Sequence, residues 1–305
     1  MRSLRAGSEL HSEEDSSATA FRYLRPSTIA DVLSVLAEHG EAAKVLAGGQ
    51  SLVPMISLGL ASPDVIVDIN RLTDADGVWL DEGEVSIGPL VRHMALQRAP
   101  QDLAGAAPLL PVAAPWIGHE AIRNRGTFLG SLAHGDPSAE WPAAALAVDA
   151  KLRLKSVRGE RWVAASDFFL GPLMTEVKGD ELLVECRWQR APERTGASVM
   201  ELAFRHGDYA VVGVAAQITV DSGGTIEEAR IALFGVGATP IRPIGAEQLL
   251  VGAKDHRAIQ EAAAEAAESC DPGSDPTASG AYRKEMVAVY CRRALEEAHA
   301  RAREA

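Results

Sequence analysis

Apolar positions recur along this chain with two different periods. Ile29, Val32, Leu33 and Leu36 stand at helical spacing and build one apolar face. Ser27 or Thr28 can cap that helix; Thr28 and Asp31 stand at capping-box spacing, and Gly40 sits where a left-handed C-cap would end it. A short buried strand is then expected over 44–47, running into a Gly-Gly pair. Further strands are expected over 64–70 (DVIVDIN) and 84–88 (EVSIG), with a short helix over 92–98. Residues 149–155 and 160–163 read as strands flanking the turn at 156–159. The APERTGA segment at 191–197 breaks the pattern with Pro and Gly and marks a boundary. Beyond it, strands are expected over 210–220 and 226–234 around a turn at 221–224. Helices follow over 258–269 and 282–300, separated by a DPGSDP loop. No repeat of solenoid period is present. Mixed rather than strictly alternating strands and helices predict an α+β protein.

Length and composition narrow the picture. The 305 residues suffice for two domains, and 47% hydrophobic with 24% charged residues is ordinary for a globular chain. Aromatics are only 5%, so the core must be built largely from Ala, Val, Leu and Ile. A formal net charge of −12 repels phosphate backbones and anionic lipid and argues against nucleic acid or membrane surfaces as partners. Cys186, Cys270 and Cys291 are widely spaced, with no C-x-x-C pair, so a disulfide framework, a zinc site and an iron–sulfur cluster are all unsupported. No apolar run approaches the roughly 20 residues that span a bilayer. Residues 1–20 are rich in Ser, Glu and Asp, lack an apolar signal core and read as a disordered tail. Together these features predict a cytoplasmic protein.

Two glycine-bearing segments carry candidate chemistry. The first is AGGQSL at 47–52, after a strand. Glycine permits positive φ and close approach of main-chain N–H groups, successive N–H groups make an anion-binding concavity, and Ser51 adds a hydroxyl. By itself the fragment reads rather as a plain tight turn. The second is RGTFLGSLAHGDPSAE at 125–140. Thr127, Gly130 and Ser131 offer donors, and Asp136 and Glu140 offer acceptors for a ribose hydroxyl or an amide. Its bland reading is a surface loop leading into a helix at Pro142.

Other segments are less telling. FGVGATP at 234–240 begins like a dinucleotide fingerprint, but Pro240 holds the sixth position and a sheet turn is the better reading. No Walker-type phosphate loop exists. His119, His134 and His206 lack metal-ligand spacing and read as structural or solvent-facing. In the last helix, Arg293 and Glu297 suggest a solvated pair, while Met286, Val289, Tyr290 and Leu295 suggest core or partner contacts.

Taken together, the two glycine segments are far more specific than either alone. KVLAGGQSLVPMISLGLASPDVIVDINRL and IRNRGTFLGSLAHGDPSAEWPAAALAVDAKLRLKSVRGERWVAASDFFLGP resemble the FAD-binding subunit of the xanthine dehydrogenase and carbon monoxide dehydrogenase family. ELAFRHGDYAVVGVAA, RIALFGVGATPIR and SDPTASGAYRKEMVAVYCRRALEEA resemble that family's smaller C-terminal domain. The resemblance implies a two-part FAD-binding domain of the vanillyl-alcohol-oxidase (PCMH) type over 21–195, then an α+β domain of the CO dehydrogenase flavoprotein type over 196–300. It implies that Val45, Leu46, Ala47, Gly48, Gly49, Gln50, Ser51 and Leu52 wrap the FAD diphosphate. Thr127, Leu129, Gly130 and Ser131 would line its other side, with Asp136 nearby. Glu140 occupies the place of an acidic residue that holds the cofactor. Ile117 stands where an apolar or aromatic residue nears the adenine or flavin, Leu182 matches a main-chain contact to the ring, and Tyr209 matches a residue against the isoalloxazine. Two departures stand out. Leu129 replaces the first glycine of a T-x-G-G pattern, where a Cβ would crowd a phosphate, and no Lys stands near Met200 and Glu201, where some relatives place one by the flavin.

The implied role is electron relay. A molybdenum–pterin subunit hydroxylates a small substrate, a separate iron–sulfur (2Fe-2S) subunit delivers electrons to FAD here, and FAD passes them to a terminal acceptor, in a hetero-oligomer expected to be a dimer of heterotrimers. A cofactor-free scaffold, suggested by Leu129, and a self-sufficient flavin oxidase are the competing readings.

Overall fold

The computed structural model describes residues 21–73, 75–254 and 256–305. The tail expected over 1–20 lies outside them.

The first unit is a small parallel sheet. β1 (Arg22–Leu24), β2 (Ala43–Leu46) and β3 (Val65–Asp68) lie in the order β1-β3-β2. The central β3 is buried at every residue, which is why its sequence is a continuous apolar run rather than an alternating one. The helix Ile29–His39 joins β1 to β2 and buries Val32, Leu33 and Leu36, the face legible in the sequence. Thr28 caps it, its hydroxyl accepting from the Asp31 N–H at 3.1 Å, and Gly40 at φ 52° ends it.

The second unit is antiparallel. β4 (Val78–Leu80), β5 (Glu84–Ile87), β6 (Lys151–Ser156), β7 (Gly159–Ala164), a minor pair β8 (Phe169–Gly171) and β9 (Met174–Thr175), and β10 (Leu182–Gln189) follow in chain order. Five of these form one sheet, β4-β5-β10-β6-β7. Phe128, Trp141 and Trp188 fill the space above it, with Phe128 edge-on to Trp141 at 4.9 Å between ring centroids. Full burial of each such ring stabilises by about 2–3 kcal/mol. Every residue of the helix Glu140–Ala147 is buried, because it packs on β12 and β13 of the C-terminal sheet, described below, and on the helices Leu109–Ala113, Phe128–His134 and Ala165–Phe168.

The third unit is the antiparallel sheet of β11 (Thr195–Leu202), β12 (Val212–Val220) and β13 (Ile226–Phe234), with β12 central and buried throughout. Helices His256–Glu268 and Gly280–Glu304 cover one face. Gly196 is required there: a Cβ on it would stand 2.8 Å from the Arg301 carbonyl carbon, within the backbone of the long helix. The other face, carrying Ala197, Val199, Ala215 and Ala232, joins the core of the second unit. Among the described residues no helix is long and apolar enough to cross a membrane.

Several expectations need correction. The second glycine segment is not a surface loop leading to a helix at Pro142. Thr127 caps a helix of its own, Phe128–His134, and the next helix begins at Glu140. The strand expected from 210 begins at Val212, since the Val211 carbonyl turns away to accept from Arg283 at 2.5 Å. Arg293 and Glu297 do not pair: Glu297 accepts from Arg301 at 2.8 Å, and Arg293 lies over the Tyr290 ring. The 234–240 segment is indeed a turn. Gly235, at φ 72°, donates to the Pro137 carbonyl at 2.8 Å and so ties the C-terminal sheet to the second glycine segment.

Candidate functional site

The two glycine segments meet. A Cβ on Gly48 would stand 2.5 Å from the Arg125 carbonyl oxygen and 2.6 Å from the Gly126 Cα, so only glycine permits the two main chains to touch. Ala47 faces Gly130 in the same seam, its Cβ 3.9 Å from where a Gly130 Cβ would be. Each segment then runs into the first turn of a short helix, Leu52–Ser57 or Phe128–His134, whose leading N–H groups lack intrahelical acceptors. Gly49, at φ 74°, turns the chain, and the Gln50 side chain donates to the Gly48 carbonyl at 3.0 Å. Thr127 Oγ1 accepts from the Gly130 N–H at 3.2 Å. The two segments are thus held side by side, each pairing a glycine with the start of a short helix, the elements that present main-chain donors to an anionic diphosphate.

A polar relay holds the seam in register. Asp68, at the end of β3, accepts from the Asn70 N–H at 2.9 Å and pairs with Arg25 at 3.0 Å; the Tyr23 hydroxyl also donates to it. Burial alone would raise the Asp68 carboxyl, but Tyr23, Asn70 and Arg25 together hold it below the usual carboxylate range. Asn70 donates to the Ala47 carbonyl at 2.8 Å, and Arg92 donates to Asn70 Oδ1 at 2.6 Å and to the Arg125 carbonyl. One chain of contacts therefore runs from the first glycine segment to the second. Behind it, the main-chain N–H of buried His93 donates to the Gly126 carbonyl at 3.1 Å, and its ring accepts at Nδ1 from Trp141 Nε1 at 2.9 Å, which places the ring proton on Nε2. Burial, with Arg92 and Arg123 nearby, drives its pKa down to about 3, so it stays neutral. Asp68, Asn70, Arg92 and His93 escaped the sequence reading. The one available signal was Asp68-Ile69-Asn70, polar residues closing an otherwise apolar strand.

The remaining expected residues distribute as follows. Val45, Leu46, Ser51 and Leu52 are half-buried along the first segment, and Ser131 along the second. Leu129 is 2% exposed and packs in the core of the second unit. Its Cβ therefore points away from the seam, and no positive φ is forced on it. Leu182 opens β10 with its side chain in the core that Val45 and Ala47 border. Asp136 accepts from the Ser138 N–H at 2.8 Å and shapes the turn before Glu140. Glu140, 9% exposed, is pushed up to about 7 by burial and by Asp136. Tyr209 exposes 67% of its surface, yet partial burial of its hydroxyl, with Asp136 and Glu140 close by, raises its pKa. Ile117 follows the turn Ala114–Trp116, where Arg123 braces its carbonyl at 3.1 Å. Gly207 sits against Gly118, and Trp116 against His206 at 5.8 Å, so the Ile117 and Tyr209 loops adjoin.

Comparison with known sequences identifies the family. A family model described as the FAD binding domain in molybdopterin dehydrogenase matches residues 19–187, and one described as the CO dehydrogenase flavoprotein C-terminal domain matches residues 197–298. The chain belongs to the molybdopterin dehydrogenase flavoprotein family. Within that family it is 36% identical over 285 residues to the 6-hydroxypseudooxynicotine dehydrogenase complex subunit alpha of Paenarthrobacter nicotinovorans, covering 93% of this chain and 96% of the relative. It is 36% identical over 282 residues to the carbon monoxide dehydrogenase medium chain of Hydrogenophaga pseudoflava, covering 92% and 98%. A chain of the Hydrogenophaga pseudoflava carbon monoxide dehydrogenase structure that lacks the Mo-pyranopterin moiety superposes with a TM-score of 0.88 at 37% identity, covering 92% of this chain and 98% of that one. FAD is the cofactor of the family's domain, which spans both glycine segments of this chain.

Proposed function

We propose that this chain is the FAD-binding, electron-relaying subunit of a molybdenum hydroxylase. The observation that carries the proposal is the contact of Gly48 with Arg125–Gly126, which joins the two glycine segments into one wall. Residues 45–52 and 127–131 bind the diphosphate, and the Asp68–Asn70–Arg92 relay fixes their spacing. Glu140 and Asp136 face the cofactor's sugar side, Ile117 and Tyr209 bound its aromatic ends, and Leu182 offers its main chain. The unit over 21–195 holds the cofactor and that over 196–300 closes the cleft. FAD, when bound, supplies one- and two-electron chemistry, while the protein supplies placement and electrostatics.

Among the described residues no group of three or more His, Cys, Asp and Glu side chains gathers into a metal site, and all three cysteines are buried. The chain's likeness to a dehydrogenase complex subunit and to a carbon monoxide dehydrogenase medium chain supports a reading in which electrons arrive from an iron–sulfur (2Fe-2S) subunit and substrate is oxidised on a molybdenum–pterin subunit, in a cytoplasmic dimer of heterotrimers. The scaffold reading loses its support, because Leu129 is a core residue rather than an obstruction in the seam. The test is purification of the tagged chain from its native host. FAD near one per chain, with iron–sulfur and molybdenum subunits copurifying, is expected. An active single chain, or a complex devoid of flavin, would refute the reading.

A further inference from the structure

A cavity of about 90 Å³ lies between the second and third units, and none of its lining residues is among those assigned to the cofactor. Gln189 and Arg190, at the end of β10, stand on one side of it; Gln217 of β12 and Glu228 and Arg230 of β13 stand on the other. Gln217 is opposite Arg230 in the sheet register. It shares the strand face of Ala215, which joins the core of the second unit, while Ala216 and Ile218 point the other way, under the C-terminal helices. Gln217 is 5% exposed, yet its side chain makes no hydrogen bond among the described residues, and its Oε1 is sealed from solvent. The amide nitrogen is therefore the end that borders the cavity. A buried amide without a partner is costly, and a bound water, ion or ligand is the usual reason one persists.

The free valences of the wall are donors. Arg230 donates from Nη1 to Asp149 at 3.0 Å, from Nε to Glu228 at 2.9 Å and from Nη2 to Gln189 Oε1 at 3.3 Å. Asp149, held at φ 53°, also pairs with Arg242. The one carboxylate of the wall, Glu228, is thus engaged by Arg230, and the Gln189 amide has spent its oxygen and keeps its N–H groups. Arg190 is exposed at the rim, and its guanidinium has no ion pair or hydrogen bond among the described residues. Its backbone is nevertheless pinned: its N–H donates to the Gly83 carbonyl at 3.1 Å, and the next N–H, of Ala191, to the Ala106 carbonyl at 2.8 Å. Two cations against one carboxylate line the cavity of a chain whose net charge is −12. A guanidinium fork with amide N–H groups beside it matches the oxygens of a carboxylate or phosphate. The volume sets the size, since a single water takes about 30 Å³ in the liquid.

We propose that this cavity binds a small oxyanion, a carboxylate or phosphate of about five heavy atoms, held by Arg190 and by the Gln189 and Gln217 amides. The ligand bridges the end of β10 to the C-terminal sheet and so ties the two domains together. It binds only when both are folded and docked, and it stabilises that state by mass action. None of its contacts falls in 45–52 or 127–131, so the site stands or falls apart from the FAD reading.

The experiment is calorimetric titration and thermal melting of the purified full-length chain with sodium acetate and with inorganic phosphate, against sodium chloride at matched ionic strength. Saturable binding with a Kd of about 10 mM or tighter is expected for at least one of the two, with a melting temperature that rises as it saturates. Whichever anion saturates first identifies the ligand as carboxylate or phosphate. Arg190→Ala, at an exposed position, is expected to fold as wild type does, to keep wild-type flavin content and to bind at least about tenfold more weakly. Arg190→Lys keeps the charge without the fork and should fall between the two. Gln217→Leu removes a buried unpaired amide, so without anion it should melt no lower than wild type, yet bind at least about fivefold more weakly. Saturation by neither anion, or wild-type affinity in Arg190→Ala or Gln217→Leu, would show a crevice filled by water alone and overturn the site.

Discussion

Gly48 and Gly126 touch through their main chains: a Cβ on Gly48 would stand 2.6 Å from the Gly126 Cα. Residues 78 positions apart in sequence are thereby locked into one wall; a side chain at Gly48 must separate the segments, whereas one at Gly126 would run into the buried His93 ring. In Gly48→Val the two loops part. The variant is expected to fold, since the seam lies at the surface of a core it does not enter, but its complex should carry less than about a tenth of the wild-type flavin per chain. Absorbance of the released flavin measures this, and wild-type flavin content would contradict the seam's role.

Asp68 anchors the relay to both segments and to Arg25. Its folded pKa is depressed, so its contribution to stability is fully present above the unfolded carboxylate value and is lost as pH falls through the lower folded value. Asp68→Ala leaves Tyr23, Asn70 and Arg25 without their acceptor and should cost about 2–4 kcal/mol at pH 7. Urea unfolding at pH 7 and pH 3 checks this: the difference from wild type should narrow at the lower pH.

His93 is neutral and buried, with a folded pKa near 3. Its stabilisation is present above the unfolded value near 6.5 and declines as pH falls below it, because the unfolded chain binds the proton first. Between pH 6.5 and 5 the loss should approach about 2 kcal/mol. His93→Gln retains an acceptor for Trp141 and removes the titration. Its stability should change less than wild type's over that interval, as read from urea midpoints at each pH.

Gly196 lies under the long C-terminal helix, with helix backbone inside the volume a Cβ would need. Gly196→Ala forces the helix outward and should lower stability by about 1–3 kcal/mol through overpacking. The same substitution at Gly83, where nothing lies within 4 Å, should be nearly neutral. Thermal melts of the two variants make the comparison.

Local pattern carried far into this molecule. The helix Ile29–His39, its Thr28 cap and its Gly40 terminus follow from spacing alone, because each is set by interactions within one turn. The strands at 43–46, 65–68, 84–87, 151–156 and 226–234 were likewise legible from apolar runs and turn residues. The short helices between 101 and 134 were not: their faces are defined by packing on one another and on the sheet, and none is long enough to show a full period. The helix Glu140–Ala147 is buried all round and carries no amphipathic signal at all.

The candidate site divides in the same way. The sequence by itself named the two glycine segments, because a main chain that must approach a ligand selects residues without side chains, and such residues are visible in one dimension. The direction of Leu129 into the core, the meeting of Gly48 with Gly126, the Asp68–Asn70–Arg92 relay and the burial of Glu201 were decided only when the three sheets packed together. Each joins positions remote in sequence, and both burial and the electrostatic field depend on distances through space that no local pattern records.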